Sequence, residues 1–147
     1  MRFCLLCIPM LIAGLFSCKS MRKAGDFDRR DIRPEIMEMA EAIIDDGFIG
    51  TPSIARNPEI SKEYTLRMAF IDAATIEELV HFLDHPAGIL RAVAFEGLAI
   101  KNYAELKQEL LDLSQGDYVV RYLKGDLEFT MPVLEYGYTV VLGKTIP

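Results

Sequence analysis

The sequence predicts a mainly α-helical domain that closes with a short β segment. Three observations carry that prediction. Apolar residues recur at spacings of three and four from Pro34 onward, which is the period of one helix face. Thr75 and Glu78 have the spacing of a capping box, so a helix should begin at Ile76. After Asp117 the composition turns to Val, Tyr, Phe and Thr, residues that suit a pleated, half-buried surface.

The first helix is expected over 34–46. Pro34 fits the first turn, where its missing N–H would be unbonded anyway. Within PEIMEMAEAIIDDG, Ile36, Met39, Ala40, Ile43 and Ile44 share a face, and Gly47 supplies a stop. FIGTPSIARNPE, residues 48–59, holds two prolines, a glycine and an asparagine and reads as a loop. A second helix is expected over 60–74, burying Leu66, Ala69, Phe70 and Ala73. The third, IEELVHFLDH, should bury Ile76, Leu79, Val80 and Leu83. Pro86 disfavours helical geometry at His85 and ends it there. ILRAVAFEGLAI gives a fourth, with Leu90, Val93, Ala94, Gly97 and Leu98 on one side. A fifth covers 104–116, with Leu106, Leu110 and Leu113 inward and Gly116 past its end. From about 118 the reading is a hairpin around Gly125 and a third strand at 138–142, with helix left open for 118–124.

The chain has 147 residues and a net charge of -6, which suits one domain with a real core. An acidic balance argues against nucleic acid, which demands clustered Lys and Arg. The opening, MRFCLLCIPMLIAGLFSCKS, sets Arg2 before an uncharged apolar run from Phe3 to Leu15. That run is short of the roughly 20 residues of a membrane span and suits the apolar part of a secretory signal. It ends in L-F-S-C, with Leu15 three before Cys18 and Ser17 directly before it.

This ending resembles the lipobox of bacterial lipoproteins, with Phe16 where a small or β-branched residue is usual. The resemblance implies that 1–17 is a cleaved signal peptide, that Cys18 carries lipid and becomes the N-terminus, and that 18–33 is a tether. Acyl chains anchor at about 0.8 kcal/mol per buried methylene. The alternatives are an ordinary secretory signal or an uncleaved anchor. Cleavage removes Arg2, Cys4 and Cys7, so the net charge moves from -6 to -7 and Cys18 is the one cysteine left. A disulfide framework, a thiolate enzyme and a Cys-ligated zinc site are thereby excluded from the mature chain. Lys19 stands where an aspartate would signal inner-membrane retention, which favours the outer membrane; either face remains open. Lys19, Arg22, Lys23, Arg29, Arg30 and Arg33 make a basic tether beside the lipid.

An internal correspondence follows. Leu83, Ile89, Leu90 and Arg91 match Leu113, Val119, Val120 and Arg121 thirty residues on. Leu66-Arg67 with Ala69-Phe70 echoes Leu90-Arg91 with Ala94-Phe95. Here the chain resembles the HEAT-like helical-repeat family. Its units pair an outer helix, a Pro-containing turn and an inner helix that runs R-x-x-A-x-x-A-L. In this sequence those positions are Arg91, Ala94, Gly97 and Leu98, with Gly97 replacing the second alanine. The resemblance is best over 75–101, fair over 60–74 and 103–121, and absent after about 124. It implies repeat-structural roles for Arg67, Arg91, Ala94, Gly97, Leu98 and Arg121, and an extended concave surface for a protein partner. The β-like end would then cap the last helix.

Candidate chemistry is sparse. His81 and His85 are the two histidines, four apart. A catalytic zinc needs three protein ligands and an open position. The third here would have to be a carboxylate such as Glu128 or Glu135, and H-x-x-E-H would require glutamate where Asp84 stands. A histidine in a last helical turn, favoured by the helix dipole, explains the pair as well. Glu77, Glu78 and Asp84 read as a solvated face, and Asp45-Asp46-Gly47 lacks the remaining ligands of a calcium loop. Tyr118, Tyr122, Tyr136 and Tyr138 are either sheet packing or a ligand surface. The function expected is an envelope lipoprotein acting as a protein-interaction or scaffold module, with no catalytic residues and no cofactor. The alternatives are a hydrolase using His81 or His85, and capture of carbohydrate or a small ligand by the tyrosines.

Overall fold

The computed structural model describes residues 27–51, 58–113, 117–125 and 127–143. Residues 1–26, with the expected signal segment, Cys18 and most of the expected tether, lie outside them. The fold is mainly helical with a small sheet. Its helices are α1 (Pro34–Asp46), α2 (Pro58–Ala73), α3 (Ile76–Phe82), α4 (Gly88–Ile100), α5 (Leu106–Leu113) and the short α6 (Val133–Tyr136). Its strands are β1 (Ile49–Gly50), β2 (Val119–Lys124) and β3 (Leu127–Pro132).

α1 keeps its expected bounds. Gly47 adopts φ 73° and donates its N–H to the Ile43 carbonyl at 3.2 Å, the left-handed stop that glycine allows. The buried face is Ile36, Met37, Ala40 and Ile43, with Met39 and Ile44 half-buried. α2 keeps part of its expected face, with Phe70 buried and Leu66 half-buried against the core. It buries Ile60, Glu63, Arg67, Phe70 and Ile71, while Ala69 and Ala73 are exposed. Glu63 and Arg67 are one turn apart and neutralise each other, so a charged pair takes the inward stripe that periodicity assigned to alanines.

The capping box of α3 is present. Thr75 Oγ1 accepts the Glu78 N–H at 3.2 Å, and the Glu78 carboxylate accepts the Thr75 N–H at 2.9 Å. The helix stops at Phe82, earlier than expected. Leu83, Asp84 and His85 follow as tight turns, their N–H groups bonded to the carbonyls of Val80, His81 and Phe82. α4 is buried on every side, from Ile89 through Phe95 and again at Gly97 and Leu98. It packs against α1, α2, α3, α5, α6 and β2, the place of a central helix whose residues are apolar but for Arg91 and Glu96. Asn102 ends it at φ 54°, and the Tyr103 N–H closes on the Leu98 carbonyl at 2.9 Å. α5 begins at Leu106, two residues later than expected, and residues 114–116 lie outside the described ones. Leu110 is buried and Leu106 half-buried, and the Leu113 side chain lies outside the described residues.

The sheet runs β1-β2-β3. β2 and β3 form the expected hairpin, closed at Lys124↔Leu127 with Gly125 at φ 66°. The third strand is not 138–142. Gly137–Val141 instead extends α6 as a π-helical turn, which buries Tyr136 and Gly137 against α4 and α5. The third strand is β1, from the segment that read as a loop, parallel to β2 with Ile49↔Tyr122 and Gly50↔Leu123. A two-residue strand is too short to show any alternation. The thirty-residue correspondence therefore pairs Arg91, on α4, with Arg121, on β2: the letters match and the secondary structure does not.

Candidate functional site

α2, α4, β1 and α6 converge on one buried polar cluster. Arg67, 2% exposed, stands at its centre. Its Nε donates to Glu63 Oε1 at 2.7 Å, its Nη1 to both Glu96 oxygens at 2.6 and 2.5 Å, and its Nη2 to the Gly50 carbonyl at 2.8 Å. Glu63 Oε2 accepts the Gly50 N–H at 2.9 Å, and the Tyr136 hydroxyl donates to Glu96 Oε2 at 3.0 Å. Gly50 makes this approach possible: a Cβ there would lie 2.6 Å from Ile60 Cγ2. The planar guanidinium serves three partners at once, as an ammonium cannot.

The electrostatics follow from burial. Loss of solvent pushes the Glu63 carboxyl up, opposed by Arg67 and the Gly50 N–H. Burial also opposes the Arg67 charge, but Glu96, Tyr136 and Glu63 together outweigh it and raise its pKa. Burial, reinforced by Glu96, holds the Tyr136 hydroxyl well above its usual range, so it remains a donor. A cavity of about 220 Å³ opens beside the cluster, walled by Tyr64, Met68, Ile100, Tyr122, Tyr136 and Val140. Glu96 is the charged group of the cluster that reaches toward solvent, its side chain 18% exposed. Donors and acceptors here are turned on one another. The arrangement holds four elements at fixed spacing and offers a small, tyrosine-walled recess.

A second buried arginine supports the turn between α3 and α4. Arg91 Nε donates to the His85 carbonyl at 2.6 Å, and its guanidinium lies 3.8 Å from the Tyr118 ring centroid. Burial lowers its pKa, with Tyr118 and Asp84 opposing. His85 Nδ1 accepts the Ala87 N–H at 3.0 Å, so the proton of the neutral ring belongs on Nε2. Burial first, then Arg91 and Arg29, keep His85 below the usual imidazole range. His81 turns to Asp31 at 3.5 Å. The two histidines thus leave the shared helix face that a metal pair requires, because α3 ends between them. No group of three or more His, Cys, Asp or Glu placed for a metal occurs among the described residues.

The other residues named from sequence are distributed as follows. Glu78 is not solvated. Arg33 covers it with Nε at 2.9 Å, Nη2 at 2.8 Å and its own backbone N–H at 3.2 Å. Glu77 is exposed and Asp84 half-buried. Arg121 is exposed on a strand and pairs with Glu128 at 2.8 Å, unlike Arg67 and Arg91, which are buried on helices. Ala94, Gly97 and Leu98 are buried, and a Cβ on Gly97 would meet Leu79 Cδ1 at 3.0 Å and Ile71 Cγ1 at 3.3 Å. Tyr118 lies on Arg91, Tyr122 and Tyr136 meet edge to face at 5.9 Å, and Tyr138 is half-buried against the core. Asp46 lies 4.0 Å from Lys62, and Glu135 is half-buried on α6. Sequence reasoning missed Glu63 and Glu96. The one signal for Glu63 was its four-residue spacing to Arg67.

Among the described residues, no helix is long and apolar enough to cross a membrane. No family model, curated protein or solved structure matches this chain.

Proposed function

We propose that this protein is a lipid-anchored lipoprotein of a bacterial envelope whose helical domain works as an interaction or scaffold module. The observation that carries the reading is how the buried charges are used. Arg67, Glu63 and Glu96 answer one another, Glu78 answers Arg33, and Arg91 answers a turn carbonyl. These groups fix helices rather than leaving an acid and a base poised at an opening. Away from these groups, a groove of about 450 Å³ opens between α1 and α2. Its floor is Ile36, Met39, Ala42 and Leu66, and Arg33 and Glu38 stand on its rim. An apolar floor with a charged rim suits one face of an amphipathic partner helix.

In the finer reading, α3, the Pro86 turn and α4 form one HEAT-like unit. α2 is a partial unit before it, and the hairpin with α6 caps the open side. The arginine that opens α4 holds the turn, as such a unit would have it. The lipobox at Cys18 supplies the membrane end, with the outer membrane favoured. A photo-crosslinking residue at Met39 should capture one discrete partner in envelope membranes. Capture no better than at exposed Glu77 would overturn the interaction reading.

A second reading is favoured by the recess that Tyr122 and Tyr136 line beside Glu96. It makes the protein a binder of a small sugar or similar ligand. Filling the recess with Met68→Trp would then abolish saccharide binding in a fluorescence titration while the far-UV circular dichroism stays unchanged. Equal titrations of the wild type and this variant would remove that reading.

A further inference from the structure

β3 ends the sheet, and its outer edge has no strand beside it among the described residues. Leu127 and Phe129 are 62% and 42% exposed. Natural edge strands are usually blunted by charge, proline or a covering element; β3 carries Glu128 and ends in Pro132, which leaves the stretch from Leu127 to Met131 open to pairing. The phase of the ladder tells which peptide groups face outward. The Val133 N–H bonds the Tyr118 carbonyl at 2.9 Å. Bonded pairs alternate along an antiparallel ladder. In the observed register, Val120↔Met131, Tyr122↔Phe129 and Lys124↔Leu127 are therefore the bonded pairs, and Arg121↔Thr130 and Leu123↔Glu128 are not. The N–H and C=O groups of Glu128 and Thr130 point away from β2. Pro132 falls on the same outward phase, where its missing N–H costs the hairpin nothing. Leu127, Phe129 and Met131 share a face with Val120 and Tyr122, which are buried. The apolar face of the sheet thus runs past its helical cover.

We propose that β3 pairs edge to edge, antiparallel, with β3 of a second copy of this chain, about a twofold axis at Phe129. Three requirements meet in that register. The outward groups of Glu128 face those of Thr130 in the second copy, so both pairs can exchange bonds. Phe129 meets Phe129 at a non-bonded position, where side chains are closest, and Leu127 meets Met131. Each Glu128 faces a threonine and keeps Arg121 on its own hairpin. An axis at Glu128 would set two carboxylates opposite each other. An axis at Thr130 would set Glu128 against Pro132, which has no N–H to give. A slip by one residue would turn the apolar face of one copy to the polar face of the other. This pairing uses neither the α1–α2 groove nor Cys18, so it stands apart from both.

The test uses the full chain. Sedimentation at about 100 μM, within the range where modest interfaces saturate, should show a dimer. Thr130→Pro removes an N–H that β2 does not use and should convert the dimer to a monomer with an unchanged circular dichroism spectrum. With Cys4→Ser, Cys7→Ser and Cys18→Ser in place, Phe129→Cys should oxidise to a disulfide-linked dimer. Leu111→Cys, comparably exposed on α5, is the control. A wild-type monomer, a Thr130→Pro dimer, or crosslinking at 129 no faster than at 111 would each overturn the pairing. If Thr130→Pro alters the spectrum, the crosslinking pair decides alone.

Discussion

Arg67 joins α2 to α4 and β1 through a single guanidinium. Its removal leaves two carboxylates facing each other in the core. Arg67→Ala should therefore cost on the order of 3–5 kcal/mol, read from chemical denaturation. Arg67→Lys should recover little of that loss, since a point charge cannot reach Glu63, Glu96 and Gly50 together. Glu78 makes a prediction about acid. Arg33 holds its carboxyl down at about 2, against 4.5 for the ordinary group. The unfolded chain takes up this proton first, so the stabilisation is complete above 4.5 and is lost as pH falls toward 2. Glu78→Gln should flatten that part of a stability-against-pH curve. Thr75 and Glu78 were legible as a cap because a cap is local. Arg67 and Arg91 were legible too, as repeated Leu-Arg steps, though both turned out to hold buried polar contacts. Glu96 was not, because Arg67, which neutralises it, lies on another element, and Glu63 was not, because a four-residue spacing to Arg67 reads equally as an ion pair on an exposed helix face.

α4 owes its place to two glycines of different character. A Cβ on Gly88 would stand 2.4 Å from the Val119 carbonyl oxygen, a backbone atom that cannot give way without parting α4 from β2. Gly88→Ala should cost about 2 kcal/mol or more. At Gly97 the obstacle is the end of Leu79, which can shift. Gly97→Ala gains helix propensity, so its net cost should be about 1 kcal/mol or less. Thermal melting of the two variants checks the contrast. Helices with caps and long periodic faces were legible from residue spacing. The segment after Tyr136 was not: Tyr138 to Leu142 is a mostly apolar run without a period, and Gly137 at its head lies close against Phe95 and Leu110. α2 shows another failure, a correct element whose face is half right at Leu66 and Phe70, because periodicity counts apolar letters and cannot count a neutralised ion pair.

For the whole molecule, the fold class was legible because it rests on the summed pattern of several helices. The way the chain closes on itself was not. The anchor proposed at Cys18 is a property of the whole chain and is checked on it. Cys18→Ser should abolish acylation and leave an uncleaved or soluble form, and mass spectrometry finding wild-type mature Cys18 unmodified would refute the anchor. Closure has a consequence in time. Four of the described helices lie between β1 and β2 along the chain, and their pairing ends at the Thr51 N–H, 3.0 Å from the Leu123 carbonyl. Contacts between parts so distant along the chain form late and open early. The Thr51 amide should therefore gain protection from hydrogen exchange after the amides of α4 during refolding. It should also lose protection before them in mild denaturant, making that short strand the latch whose release first lets water reach Arg67.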